Sequence, residues 1–262
     1  MLSFFILAAL GYGSASFAFG AGGGPDMARR WGRRTLLSAA FFHLATIGAQ
    51  CVAGNHPFRS VYLVISLIVF LMVLGYLALS AGGRELRAMG ATLGPLGLAG
   101  LTLGVWLGPG SAHDAVVASP SLLVIHIAMA TLGVVGFGLA AGVAALYLGL
   151  DRRLRSKKFM LGGAPGVSLR SLERLHSWLG LAAVPVFTVA IVSGVVAFRG
   201  SATSVFESRG LELIAAAVAW VASVVSVTAR SAWGVRGRRA SWLSIVAFGA
   251  MVLILISYGL RG

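Results

Sequence analysis

Residues 119–158 read SPSLLVIHIAMATLGVVGFGLAAGVAALYLGLDRRLRSKK. From Leu122 to Leu150 the stretch holds no Asp, Glu, Lys or Arg, and its one histidine is His126. It then breaks abruptly into Asp151 and five cations: Arg152, Arg153, Arg155, Lys157 and Lys158. A helix rises about 1.5 Å per residue, so roughly 20 apolar residues cross a hydrocarbon core about 30 Å thick. This run exceeds that length. In lipid no water can satisfy the backbone, so a single apolar run of this kind must close its hydrogen bonds internally, as a helix. The basic tail marks the cytoplasmic end.

The rest of the chain follows the same grammar. Of 262 residues, 58% are hydrophobic and 11% charged, with a mean hydropathy of +0.92. A soluble domain carries roughly 25% charged residues. Eight segments qualify as spans: about 3–20, 35–53, 61–80, 91–108, 121–150, 172–198, 210–229 and 241–260. The chain is thus expected to be a single, all-α, polytopic membrane domain of about eight transmembrane helices. Gly- and Pro-containing connectors such as Gly54-Asn55-His56-Pro57 and Pro109-Gly110 separate the spans. The fourth is the weakest, being interrupted by Gly94, Pro95, Gly97 and Gly100, and a broken or re-entrant segment is the alternative there.

The charge distribution supports the full count. Lys+Arg number 21 against 7 Asp+Glu, a net charge of +14. The alternate connectors 1–2, 3–4, 5–6 and 7–8 carry all the basic residues except Arg59, Arg199, Arg209 and Arg261. By the positive-inside rule these four connectors face the cytoplasm, so both termini are outside (N-out/C-out). Losing one span would scramble the alternation. The same rule accounts for the basic excess without nucleic acid; the partner it implies is the lipid bilayer. The Arg-rich stretch Met27–Cys51 imitates a twin-arginine signal, but an apolar span precedes it.

Chemistry-bearing residues are few. The lone cysteine, Cys51, excludes an intramolecular disulfide, a CxxC pair and a CxxCH haem attachment. No HExxH, GxSxG or P-loop occurs, and no span carries a pair of carboxylates for acid–base work. Glu212 starts span seven and is read as lying at its edge, and Pro185 should kink span six. Small-residue pairs, Gly100/Gly104 and Gly138/Gly142, are candidate helix contacts. The five histidines remain. His43 is central in span two, His126 is near the outer end of span five, His56 and His113 are in outer connectors, and His176 is at the inner end of span six. Neutral imidazole tolerates apolar surroundings and ligates haem iron, so His126, His43, His56 and His113 are the candidate cofactor ligands, with His126 the candidate for the iron itself. From the helical rise, His43 and His126 differ in depth by about 10 Å, so pairing His126 with His56 or His113 is the easier arrangement. His176, beside Glu173 and Arg174, reads as structural. Asp114 next to His113 could orient that ring.

Five passages together resemble the cytochrome c assembly (CcsA-like) family, in its HemX/YpjD-like eight-span branch. They are AAFFHLATIGAQ (39–50), NHPFRSVYLVISLIVFLMVLGYL (55–77), the opening stretch 119–158, LRSLERLHSWLGLAAVPVFTVAIVSGVVAF (169–198) and WGVRGRRASWLSIVAFGAMVLILISYGL (233–260). The resemblance implies haem as cofactor, His126 as the retained haem-ligand position, the bacterial inner membrane as location, and other cytochrome c assembly proteins or haem-synthesis enzymes as partners. The family's Trp-rich WWD loop falls where this chain reads RGSATSVFESRG (199–210), without Trp. That departure implies an accessory or regulatory role in cytochrome c or haem biogenesis rather than the lyase reaction. The alternatives are a structural subunit without cofactor and a small-solute permease.

Overall fold

The computed structural model describes residues 1–20, 28–81, 86–109, 120–156, 167–197, 202–232 and 237–261. Among them there are eight long helices and no strand: α1 Leu2–Gly20, α2 Arg33–Val52, α3 Val61–Ala81, α4 Arg87–Trp106, α5 Pro120–Arg155, α6 Leu169–Ala197, α7 Ala202–Ala232 and α8 Arg238–Arg261. A π-helical turn, Ala28–Gly32, leads into α2, and a short 3-10 turn, Pro57–Arg59, precedes α3. All eight are long and apolar enough to cross a membrane. The protein is an all-α, multi-pass membrane protein.

The weak fourth span is a continuous helix with Pro95 inside it. Pro185 likewise lies inside an unbroken α6. The interruption with non-helical dihedrals instead falls in α7, at Arg209 (φ −129°, ψ 25°), next to residue 210, where the hydropathic span begins. Helix α5 runs past its apolar stretch to Arg155: hydropathy ends at Leu150, but backbone hydrogen bonding continues through the basic turn. The end of α2 is set by Gly54 (φ +85°). The Asn55 amide donates to the Gln50 carbonyl (2.9 Å) and the Gly54 amide to the Cys51 carbonyl (3.0 Å), the paired bonds that close a helix on a left-handed glycine.

The chain forms two compact units, Met1–Asp114 and Ala115–Gly262. In the first, α1 packs on α2 and α4, and α3 packs on α2 and α4. In the second, α5 packs on α6 and α8, and α7 packs on α6 and α8. Each unit is thus a ring of four helices in chain order.

Small residues set the helix spacing, because lipid offers no hydrophobic drive between apolar helices and close backbone packing must supply the attraction. Gly11 lies against Ala39 of α2. Along α4, Gly94, Gly97, Gly100 and Gly104 face Ser16, Tyr12, Val69 and Ser66 in turn. In the second unit the close approach of α5 to α6 is made at Gly133, against Phe187, and at Gly136, against Ala183. The side chains turned away from the cores are apolar: Phe17, Phe41, Trp106, Trp178 and Val195 are all more than half exposed. Trp31, Trp106 and Trp242 sit at or near helix ends, where an indole bridges the lipid–water interface.

Candidate functional site

Two polar centres are built inside the helices, one in each unit. In the first, α1, α2 and α3 each supply one polar side chain at one level. Tyr12 Oη lies 2.8 Å from His43 Nδ1, and His43 Nε2 lies 2.9 Å from Ser66 Oγ. Tyr12 and His43 are fully buried, and Ser66 nearly so. The phenol is the more acidic hydroxyl and hence the better donor. The favoured arrangement is therefore Tyr12 O–H donating to Nδ1 and Nε2–H donating to Ser66 Oγ. The Tyr12 ring meets the imidazole edge-on at 5.8 Å between centroids, and Phe70 packs at 5.5 Å on the imidazole. The glycines of α4 complete the enclosure, since a side chain at Gly97 would collide with the Tyr12 ring and one at Gly104 with Ser66. Two turns beyond His43, Gln50 Nε2 donates to the Gly104 carbonyl (2.9 Å). The four helices are thereby joined through groups that have no water to turn to, where an unmade bond is costly.

In the second unit the centre is His126 on α5. Its Nδ1 lies 2.6 Å from the Ala190 carbonyl on α6. A carbonyl only accepts, so Nδ1 carries the proton and donates. One turn further along α6, Gly194 meets the ring: a Cβ there would come within 2.7 Å of Cε1 and Nδ1. The imidazole is thus pinned by one hydrogen bond and seated on a bare stretch of backbone. Nε2, left as the lone-pair nitrogen, has no hydrogen-bond partner among the described residues. Metal-ligating histidines commonly have this arrangement, with the second ring nitrogen donating to a carbonyl that fixes tautomer and orientation.

The other candidates fall differently. His43 is at the middle of α2 as expected, but both of its nitrogens are engaged, so it could ligate a metal only by giving up Tyr12 or Ser66. His56 is exposed at the start of the turn Pro57–Arg59, in the first unit. His126 belongs to the second. His113 and Asp114 lie outside the described residues. His176 is buried, with Nε2 2.7 Å from Ser244 Oγ on α8, a helix-to-helix tie. No group of three or more His, Cys, Asp or Glu side chains is gathered for a metal ion among the described residues. Haem needs no such group, because the porphyrin supplies four ligands and the protein only the axial ones. The donor at His126 fits one axial position.

Two features were not visible in the sequence. Glu212 starts the apolar part of α7 as expected, yet it is buried in the protein rather than at an open edge. It accepts from Ser257 Oγ of α8 (2.8 Å) and faces Arg209 Nη1 (3.8 Å). The Arg209 guanidinium also lies over the Tyr258 ring, 4.4 Å from its centroid. Asp151 is buried between Arg155 (3.1 Å) and Arg238 (3.8 Å), joining the end of α5 to the start of α8.

No family model, no curated protein and no solved structure matches this chain.

Proposed function

We propose that this chain is a haem-handling protein of the bacterial inner membrane, with both termini outside, acting in an accessory or regulatory role in cytochrome c or haem biogenesis. In this reading His126 Nε2 is the group offered to the iron. The observation that carries it is the 2.6 Å contact of His126 Nδ1 with the Ala190 carbonyl, which fixes the tautomer with its lone pair on the opposite nitrogen. The five resembling passages described above lend support, and His126 stands at the haem-ligand position in the longest of them.

His126 binds, Ala190 orients the ring, and Gly194 keeps α6 close without a side chain in the way. His126 would be the residue that holds the haem, and bound haem would supply the redox and ligand-exchange chemistry of its iron. The lack of Trp in residues 199–210 favours the accessory role over lyase chemistry.

A second reading is a structural or regulatory subunit without a cofactor. It is favoured by His43 and His176, each of which ties its helix to a neighbouring serine. Haem titration of the detergent-purified chain separates the two. The first reading expects saturable uptake that persists in His43→Gln; no uptake at any haem concentration supports the second. Co-purification of cytochrome c assembly proteins or haem-synthesis enzymes with the tagged chain tests the pathway.

A further inference from the structure

A groove of about 610 Å³ opens on the first unit, where α1 meets the π-helical turn and the start of α2. It is lined by Gly13, Ser14, Phe17, Ala18, Trp31 and Thr35. Phe17 and Trp31 stand on its walls, 66% and 60% exposed. At Gly13 the backbone is bare, with nothing within 4 Å of where a Cβ would stand. Gly13 lies seven residues before the end of α1, which places it about 10 Å down the helix axis from that end. The volume lies in the range of about 300–1,000 Å³ typical of ligand sites.

Arg30 and Arg34 are the immediate sequence neighbours of the lining residues Trp31 and Thr35. Both are exposed, and the first turns of the π-helix and of α2 hold no acid. An apolar trough in a membrane-crossing helix pair, walled by an indole and flanked by two arginines, has the polarity of one kind of molecule. We infer that this groove binds an anionic glycerophospholipid, with an acyl chain against Gly13, Ser14 and Phe17 and the phosphate at Arg30 and Arg34. A zwitterionic lipid would leave the arginines without a net opposite charge, and an apolar partner helix would gain nothing from them. The site is independent of the haem reading.

The test is native mass spectrometry of the full chain in mild detergent, with phosphatidylglycerol and phosphatidylcholine of identical acyl chains in equal amounts. Retention of phosphatidylglycerol over phosphatidylcholine is expected. Each of Arg30→Gln and Arg34→Gln should weaken it about fivefold, the change that about 1 kcal/mol per basic residue at a membrane surface corresponds to. Gly13→Phe fills the trough without changing charge and should remove the retained lipid. Trp31→Ala, at an exposed position, removes a wall and should do the same in part. Equal retention of the two lipids overturns the proposal. So does undiminished retention in Trp31→Ala and Gly13→Phe, or a chain dimer that excludes lipid from the groove.

Discussion

The Ala190 carbonyl lies 2.6 Å from His126 Nδ1, and Gly194, one turn further along the same helix, is the residue against which the imidazole rests. Hydrogen bond and seat come from one face of α6, so the ring cannot be displaced from one without straining the other. This makes Gly194 a positioning residue for His126. In Gly194→Ala the added methyl would stand 2.7 Å from the ring atoms, and the ring must swing off the carbonyl. The expected cost is about 1 kcal/mol, that of one hydrogen bond, read as a lower unfolding temperature in detergent. Haem affinity should fall as well, which a purely structural role for His126 would not produce.

Tyr12→Phe deletes one hydroxyl and leaves His43 Nδ1 without its partner. In a soluble core such an orphan costs about 1–3 kcal/mol. Inter-helix hydrogen bonds in membranes average nearer 0.6 kcal/mol, with an upper end of about 1.7, because the unfolded chain in lipid finds other partners. The membrane value should govern here, so Tyr12→Phe and Ser66→Ala should each destabilise by about 0.6–1.7 kcal/mol. A double-mutant cycle between Tyr12 and His43 in detergent or bicelle unfolding should show coupling of that size. Neither variant should change haem uptake; a loss of uptake would move the ligand to His43.

Glycines that look alike in sequence should differ sharply on substitution. A Cβ at Gly97 would overlap the Tyr12 ring and one at Gly104 would stand 2.6 Å from Ser66 Cβ, whereas Gly48 and Gly249 face open space. Overpacking typically costs about 1–3 kcal/mol, while an added methyl facing lipid removes a helix-weakening glycine worth about 1 kcal/mol relative to Ala. Gly97→Ala and Gly104→Ala should therefore lower the unfolding temperature, and Gly48→Ala and Gly249→Ala should hold or raise it.

The N-out/C-out arrangement rests on the partition of Lys and Arg, and Cys51, the sole cysteine, makes it simple to test. In a Cys51→Ala background, Ala53→Cys and Ser156→Cys place thiols at exposed positions at the ends of α2 and α5. A membrane-impermeant maleimide should label Ala53→Cys in intact cells, and Ser156→Cys only after permeabilisation. The reverse pattern would invert the topology and put His126 on the cytoplasmic side.

These features differ in how far they could be read from the chain. The eight helices were legible because lipid requires each span to satisfy its own backbone, making hydropathy a one-dimensional signal. Their ends were less so: α5 continues through Arg152, Arg153 and Arg155 because basic residues with good helix propensity extend a helix that has already left the apolar run. The division into two units was not legible, since it depends on which helices touch. Glycine spacing pointed to Gly100 and Gly104, which do face α3, yet gave no hint of Gly133 and Gly136, because spacing marks a small-residue face without saying what lies opposite. His43 was visible as an unusual residue in a span, but its partners, Tyr12 and Ser66, are 31 and 23 residues away on other helices. The burial of Glu212 was illegible for the same reason: position at a helix start reports depth along the span, whereas burial depends on Ser257 and Tyr258 from α8.

The most direct test of the central claim is the absorption spectrum of the purified chain after haem addition, compared with that of His126→Ala with and without free imidazole. The account expects a Soret band in the parent protein, its loss in His126→Ala, and its return when imidazole occupies the space the side chain has left. A parent protein that stays colourless, or a His126→Ala spectrum unchanged from the parent, would contradict it.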